Sequence, residues 1–267
     1  MKKIIVSYGG GTNSCAMLVG LHERGITPDA ITFADTGGEK PGTYTHIVLV
    51  NEWCDKVGFP RVQTLSGVMP QQIFDGTLEQ ECLRLGKLPA KAYGFSSCSA
   101  KWKMDPQKKF NKQFASDNGI GLADITRLIG FDAGEPSRVT RGLAAGAIRE
   151  ASGGVREEYP LYEWGWDRED CLDAIARAGL PPPGKSACFF CPSAKKHEVI
   201  SLAKDFPALA RRAVQMERRA LAGDGPAERT SSKGLGRTFS WEALLDGHVD
   251  MNEYGMPEMD CGCYDGD

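Results

Sequence analysis

Two thiols in Cys188-Phe-Phe-Cys191 stand at the commonest spacing for two thiolates on one metal ion, and the same spacing also serves a redox pair. The second chemistry-bearing stretch lies at the start of the chain. Residues 4 to 18 read IIVSYGGGTNSCAML, a β-branched run that breaks into Gly9, Gly10 and Gly11 and then into Thr12, Asn13 and Ser14. A glycine turn between a strand and a helix directs backbone N–H groups and a helix N-terminus at an anion. Glycine lets the backbone close on a phosphate without Cβ contacts, and Ser7, Thr12 and Ser14 add hydroxyl donors. On this reading Gly10→Val fills the phosphate nest and leaves the fold intact, and Cys188→Ala loses the metal.

The chain holds nine cysteines in all. An odd number in a reducing compartment argues against a disulfide framework and for metal ligation or thiol chemistry at some of them. Cys54 and Cys171 fall on apolar helix faces and read as small buried hydrophobes. Cys15 sits in the first turn of the helix after the glycines. There the helix dipole is expected to lower its pKa, although a packing role is the better assignment. His197, near the CxxC, is expected at a surface helix position.

The elements that must hold these residues follow from periodicity. Strands are expected at 2–8, 30–34, 61–66 and 124–132, and helices at 14–24, 43–57 and 105–118. A strand-like piece and then a helix with Asp167 as N-cap are expected between 156 and 183. One or two helices follow over 193–222, and a short one near Trp241. The β-α-β-α-β alternation of the first 66 residues predicts an α/β fold, a Rossmann-like parallel sheet with helices on both faces. The triple proline at 181–183 suggests a boundary between an α/β domain at 1–180 and a cysteine-containing helical extension at 181–267.

Composition sets outer limits. The chain has 267 residues, a net charge of −3, and no apolar run long enough for a membrane span. Its basic N-terminal start is too short and too glycine-interrupted for a signal peptide, so it reads as cytoplasmic with no membrane partner. Lys101, Lys103, Lys108, Lys109 and Lys112 form one basic cluster. Arg211, Arg212, Arg218, Arg219, Arg229, Lys233 and Arg237 form another. Both read as solvated helix faces.

VSYGGGTNSCAML resembles the PP-loop of the adenine-nucleotide alpha-hydrolase superfamily, whose pattern is Ser-Gly-Gly-Lys-Asp-Ser. In register, Thr12 replaces the lysine and Asn13 the aspartate. FADTGGEKPGTY resembles the Asp-Thr-Gly segment of the phosphoadenosine-phosphosulfate (PAPS) reductase family. Further segments resembling that family are CSAKWKMDP at 98–106, IGFDAGEPSR at 129–138 and YPLYEW at 159–164. The resemblance spans roughly residues 4 to 195 and implies the HUP-type fold. It implies a nucleotide, ATP or PAPS, held by Ser7, Gly9, Gly10, Gly11, Thr12, Asn13, Ser14, Asp35, Thr36 and Gly37, with Mg²⁺ as a possible companion. Arg138 would face phosphate or sulfate. By the same resemblance Cys98, Cys188 and Cys191 would hold a [4Fe–4S] cluster, or zinc, with Cys263, Cys261 or Cys82 as fourth ligand. DCGCYDGD resembles the reductases' C-terminal nucleophile segment at Cys261-Gly262, which makes Cys261 a candidate catalytic thiol.

Three activities are compatible with these residues. The first is nucleotide-dependent sulfur transfer to a nucleic-acid or small-molecule acceptor. The second is reduction of PAPS or adenosine phosphosulfate to sulfite, which needs an electron donor. The third is a catalytically silent, zinc-stapled module that binds nucleic acid.

Overall fold

The computed structural model describes residues 2–66, 76–89, 91–92, 95–223, 225–227 and 231–246. At its centre lies a five-stranded sheet made of β1 (Lys3–Ser7), β2 (Ala30–Asp35), β3 (Val62–Ser66), β6 (Ile125–Ile129) and β7 (Arg156–Glu158). A two-residue pair, β4 (Lys91–Ala92) and β5 (Phe95–Ser96), lies apart from it. The sheet order is β3-β2-β1-β6-β7, with every neighbouring pair parallel.

Among the described residues thirteen helical segments connect and cover the strands. They are α1 (Thr12–Glu23), α2 (Pro41–Val57), α3 (Leu78–Leu85), α4 (Ser97–Ser99), a π-helical turn (Ala100–Met104), α5 (Asp105–Asp117), a 3-10 turn (Leu122–Asp124), α6 (Pro136–Ala151), α7 (Pro160–Glu163), α8 (Arg168–Arg177), α9 (Lys196–Asp205), α10 (Pro207–Ala222) and α11 (Trp241–Leu245).

Side chains of adjacent strand residues point to opposite faces, and both faces are buried here. Val6, Ile31, Phe33 and Leu128 pack on one side against Met17, Val50 and Ala174 of α1, α2 and α8. Ile5, Ala30 and Ile125 pack on the other side, against Phe110, Phe114 and Ala115 of α5. The fold is therefore α/β and Rossmann-like, with helices on both faces. Asp167 caps α8 as expected: its Oδ1 accepts from the N–H groups of Glu169 and Asp170, at 2.8 and 3.1 Å.

A second core collects Phe189, Phe190, Val199, Leu202, Ala213, Met216 and Trp241. It also takes in Leu78, Cys82 and Trp102, which precede the triple proline, so α3 and the π turn pack with the later helices. Helix α6 has no counterpart among the sequence expectations. Only Arg138 and Val139 of its sixteen residues are buried.

The chain runs from β1 to β2 to β3 in one direction and then returns to β6 on the far side of β1. That reversal opens a crevice at the carboxyl ends of β1 and β6, where open α/β sheets take ligands.

Candidate functional site

The glycine turn sits at this crevice. β1 ends at Ser7, Gly10 takes φ +86°, and α1 starts at Thr12 with Gly11 as N-cap. Among the described residues no side chain caps the helix, and its first turn holds no acidic residue. Thr12, Asn13 and Ser14 are each at most 2% exposed. A buried helix N-terminus with no side-chain acceptor is the arrangement that a bound anion satisfies. Ser14 Oγ is used internally and donates to the Gly11 carbonyl at 3.1 Å. Ser7 Oγ is buried with no hydrogen-bond partner among the described residues.

The loop after β6 closes against this turn. A Cβ on Gly130 would stand 3.1 Å from the Asn13 carbonyl carbon and from the Ser14 nitrogen, so glycine is what permits the approach. Asn13 Nδ2 donates to Asp132 Oδ2 at 3.0 Å and to Glu135 Oε2 at 3.4 Å. Arg138 pairs with Glu135 and lies 4.2 Å from the centre of the Phe131 ring, which stacks on Tyr159. Burial pushes the Glu135 carboxyl up, Arg138 pulls it back, and the neighbouring Asp132 adds to the rise.

The thiols lie along the same sheet edge. The segment from Ser186 to Cys191 is laced to the loops after both β1 and β2. Ser186 Oγ donates to the Gly9 carbonyl at 2.6 Å, the Phe189 N–H donates to the Gly38 carbonyl at 2.8 Å, and Glu39 bridges to Cys188. Asp35 Oδ1 accepts from the Gly37 N–H at 2.7 Å and from the Tyr44 hydroxyl at 2.9 Å, which shapes the turn. Thr36 Oγ1 meets Cys188 Sγ at 3.0 Å. Of Asp35, Thr36 and Gly37, Thr36 reaches the thiols, and Asp35 and Gly37 shape the turn that carries it.

Cys98, Cys188 and Cys191 line one cavity together with Thr36, Lys103 and Phe190. Lys103 also lines a second cavity, with Ser7, Tyr8, Gly9 and Gln107. Its side chain is 8% exposed and pairs with the buried Glu39 at 3.3 Å. The expectation that it belongs to a solvated basic face is overturned: the π turn rotates Lys103 inward while Lys101 stays half-exposed against Glu81.

Burial pushes the Cys188 thiol up, and Glu39 adds to this against Lys103 and Thr36. A thiolate there needs a cationic partner, and three soft thiols lining one cavity match zinc or an iron–sulfur centre in donor chemistry. Among the described residues no three His, Cys, Asp or Glu side chains stand close enough together to hold a metal. Cys98 Sγ instead contacts Ser96 Oγ at 3.1 Å. A centre on these thiols therefore needs Cys98 to turn from Ser96. Cys261 and Cys263 lie outside the described residues.

Cys82 is buried in the second core, against which Cys98 and Cys188 also pack, and follows by one helical turn Leu78, which lines the thiol cavity. Cys15, Cys54 and Cys171 are buried in the sheet's helix-covered face, and desolvation pushes each up to about 12. At Cys15 the direction is opposite to the expected dipole-driven lowering, and its cause is desolvation of the thiolate by burial. His197 is exposed on α9. In the arginine cluster, Arg212 pairs with Glu79 and Arg218 with Glu242.

Sequence reasoning passed over Lys103, Asp132, Ser186 and His46. His46 Nδ1 lies 3.2 Å from the Tyr8 hydroxyl and Nε2 lies 2.9 Å from the Pro181 carbonyl. It thereby ties the residue before the glycine turn to the triple proline.

The molecule is thus a parallel α/β protein with a buried, uncapped glycine-turn helix at its switch point and three thiols on the same edge. No family model matches the chain. No curated protein is detectably similar to it. Among solved structures it is similar to the U34-tRNA thiolase NcsA from Methanococcus maripaludis, determined with its [4Fe–4S] cluster. The identity is 13% and the TM-score 0.45, over 96% of this chain and 84% of that one. Among the described residues no helix is long and apolar enough to cross a membrane.

Proposed function

We propose that this chain is a PP-loop-type enzyme that binds an adenine nucleotide at the glycine turn and uses it in sulfur transfer. One observation supports the reading: the segment that carries Cys188 and Cys191 bonds to the carbonyls of Gly9 in the glycine turn and of Gly38 after β2, so turn and CxxC belong to one edge of the sheet. Lys103 lines both cavities and is the buried cation closest in role to the lysine that Thr12 replaces.

In this reading the N–H groups of the turn and of α1 hold phosphate, and Lys103 offsets charge that develops between phosphate and thiol. Cys98, Cys188 and Cys191 would hold a metal centre, an iron–sulfur cluster before zinc, which supplies a site for activated sulfur. An acceptor oxygen attacks the α-phosphorus and pyrophosphate leaves. A hydrosulfide from a sulfide donor then attacks the carbon that bears the adenylated oxygen. The C–S bond forms as the C–O bond breaks, AMP departs with that oxygen, and the sulfur's proton passes to solvent. Asn13, which donates to Asp132 and Glu135, holds the β6 loop against the turn, and Arg138, buried and paired with Glu135, braces that loop from within.

Anaerobic purification with iron, zinc and sulfide analysis, followed by assays of ATP cleavage to AMP and pyrophosphate, tests this reading. Iron with acid-labile sulfide and AMP formation support it. Sulfite release from PAPS would replace sulfur transfer with the reductase activity. Stoichiometric zinc with no nucleotide turnover would refute the enzyme. The ion pairs of Arg212 and Arg218 leave less of the arginine cluster available to nucleic-acid phosphates, which weighs against a pure binding module.

A further inference from the structure

Position 13 carries a neutral amide where the resembled loop has an aspartate, yet carboxylate charge stands directly beside it. Asp132 Oδ2 and Glu135 Oε2, from the loop after β6, converge on the single Asn13 Nδ2 at 3.0 and 3.4 Å. Asn13 is 1% exposed, and the oxygen at the other end of the same amide has no hydrogen-bond partner among the described residues. Asp132 is itself nearly buried, and its second oxygen is held by the Gly134 N–H at 2.9 Å, so the carboxylate is fixed in place. Gly130 allows the whole loop to lie against the first turn of α1.

We propose that Asp132 and Glu135 bind the divalent cation that accompanies a nucleotide's phosphates at the N-terminus of α1, with the Asn13 amide oxygen as a neutral third ligand. This rests on the nucleotide reading above. Two carboxylates and an amide carbonyl are hard oxygen donors, and a small divalent cation such as Mg²⁺ takes one or two carboxylates, with phosphate and water oxygens completing its shell. A half-turn of the Asn13 amide exchanges its N–H₂ end for the orphaned oxygen. Arg138 pairs with Glu135 Oε1 and offsets part of the carboxylate charge, so without a divalent cation it is chiefly the Asp132 carboxylate that opposes a polyphosphate at the helix terminus that attracts it. With a cation, the two carboxylates bridge to it. The carboxylate absent from position 13 is thereby supplied across the switch point.

The test is calorimetric binding of ATP to the full-length protein, in EDTA and in excess Mg²⁺, for the wild type and Asp132→Asn. The wild type is expected to bind ATP roughly tenfold or more tightly with Mg²⁺, and Asp132→Asn to bind metal-free ATP better than the wild type while losing most of the Mg²⁺ preference. Equal wild-type affinities in EDTA and Mg²⁺, or an undiminished preference in Asp132→Asn, overturns the proposal alone. Absence of ATP binding in both conditions overturns the nucleotide reading as well. Glu135→Gln answers the same question should Asp132→Asn fail to fold.

Discussion

Replacing Gly10 by alanine tests whether the turn is built as described. At φ +86° an L side chain is strained, at about 1–2 kcal/mol. The added Cβ would stand 2.7 Å from Thr43 Cγ2, against a buried residue of α2, and overpacking of this kind costs about 1–3 kcal/mol. Gly10→Ala is therefore expected to destabilise the protein by about 2–5 kcal/mol. The expectation from sequence that a side chain at Gly10 leaves the fold intact fails here, because the nearest obstacle is protein. Thr43→Ser removes the obstructing methyl and keeps the hydroxyl. The double variant should recover the packing part, about 1–3 kcal/mol, and leave the backbone part in place. Urea denaturation of the four proteins, with the m-value checked for constancy, reads this directly. A Gly10→Ala protein as stable as the wild type would refute the turn geometry. A double variant no more stable than Gly10→Ala would refute the Thr43 contact.

Cys188→Ala should lose the bound metal, measured as iron and zinc per chain, whereas Cys54→Ala should keep it; retained metal in Cys188→Ala removes that thiol from the ligand set. His46 is held neutral by burial, its pKa below the ordinary 6.5. The unfolded chain then binds the extra proton first, so stability is full above pH 6.5 and falls as pH drops through the folded-state pKa. Denaturation between that pH and about 5, where carboxylates stay ionised, should show this slope, and His46→Gln should flatten it; an unchanged slope excludes His46 as its source. Glu217 is fully buried and accepts from the N–H groups of Leu235, Trp241 and Glu242 and from Ser240 Oγ. Glu217→Ala strands the buried Leu235 and Trp241 donors and should cost about 2–6 kcal/mol in chemical denaturation, and a loss under 1 kcal/mol would contradict that anchoring role.

Local patterning determined most of the sheet. The β-branched runs at β1, β2 and β6, the glycines after β1 and the capping pair at Asp167 each act within a few residues, so strands, turn and α8 were legible from the chain. The CxxC was legible for the same reason. Helix α6 was not legible: among the described residues no side chain caps its start, and its apolar Leu143 and Ile148 are exposed, so neither a cap nor a buried face marks it. What the tertiary structure decided are encounters between residues far apart in sequence. Asn13 meets Asp132 across 119 positions and Ser186 meets Gly9 across 177. Lys103 reads as one more surface lysine until the π turn and Glu39 place it in the interior. Cys15 shows the same division: its place in the first turn of α1 is written in the sequence, but its pKa is set by the core that closes over it. Periodicity and turn chemistry are short-range properties that a sequence carries openly. Burial and charge pairing depend on what the folded sheet brings to each position, and at the carboxyl edge of β1, β2 and β6 those encounters define the site.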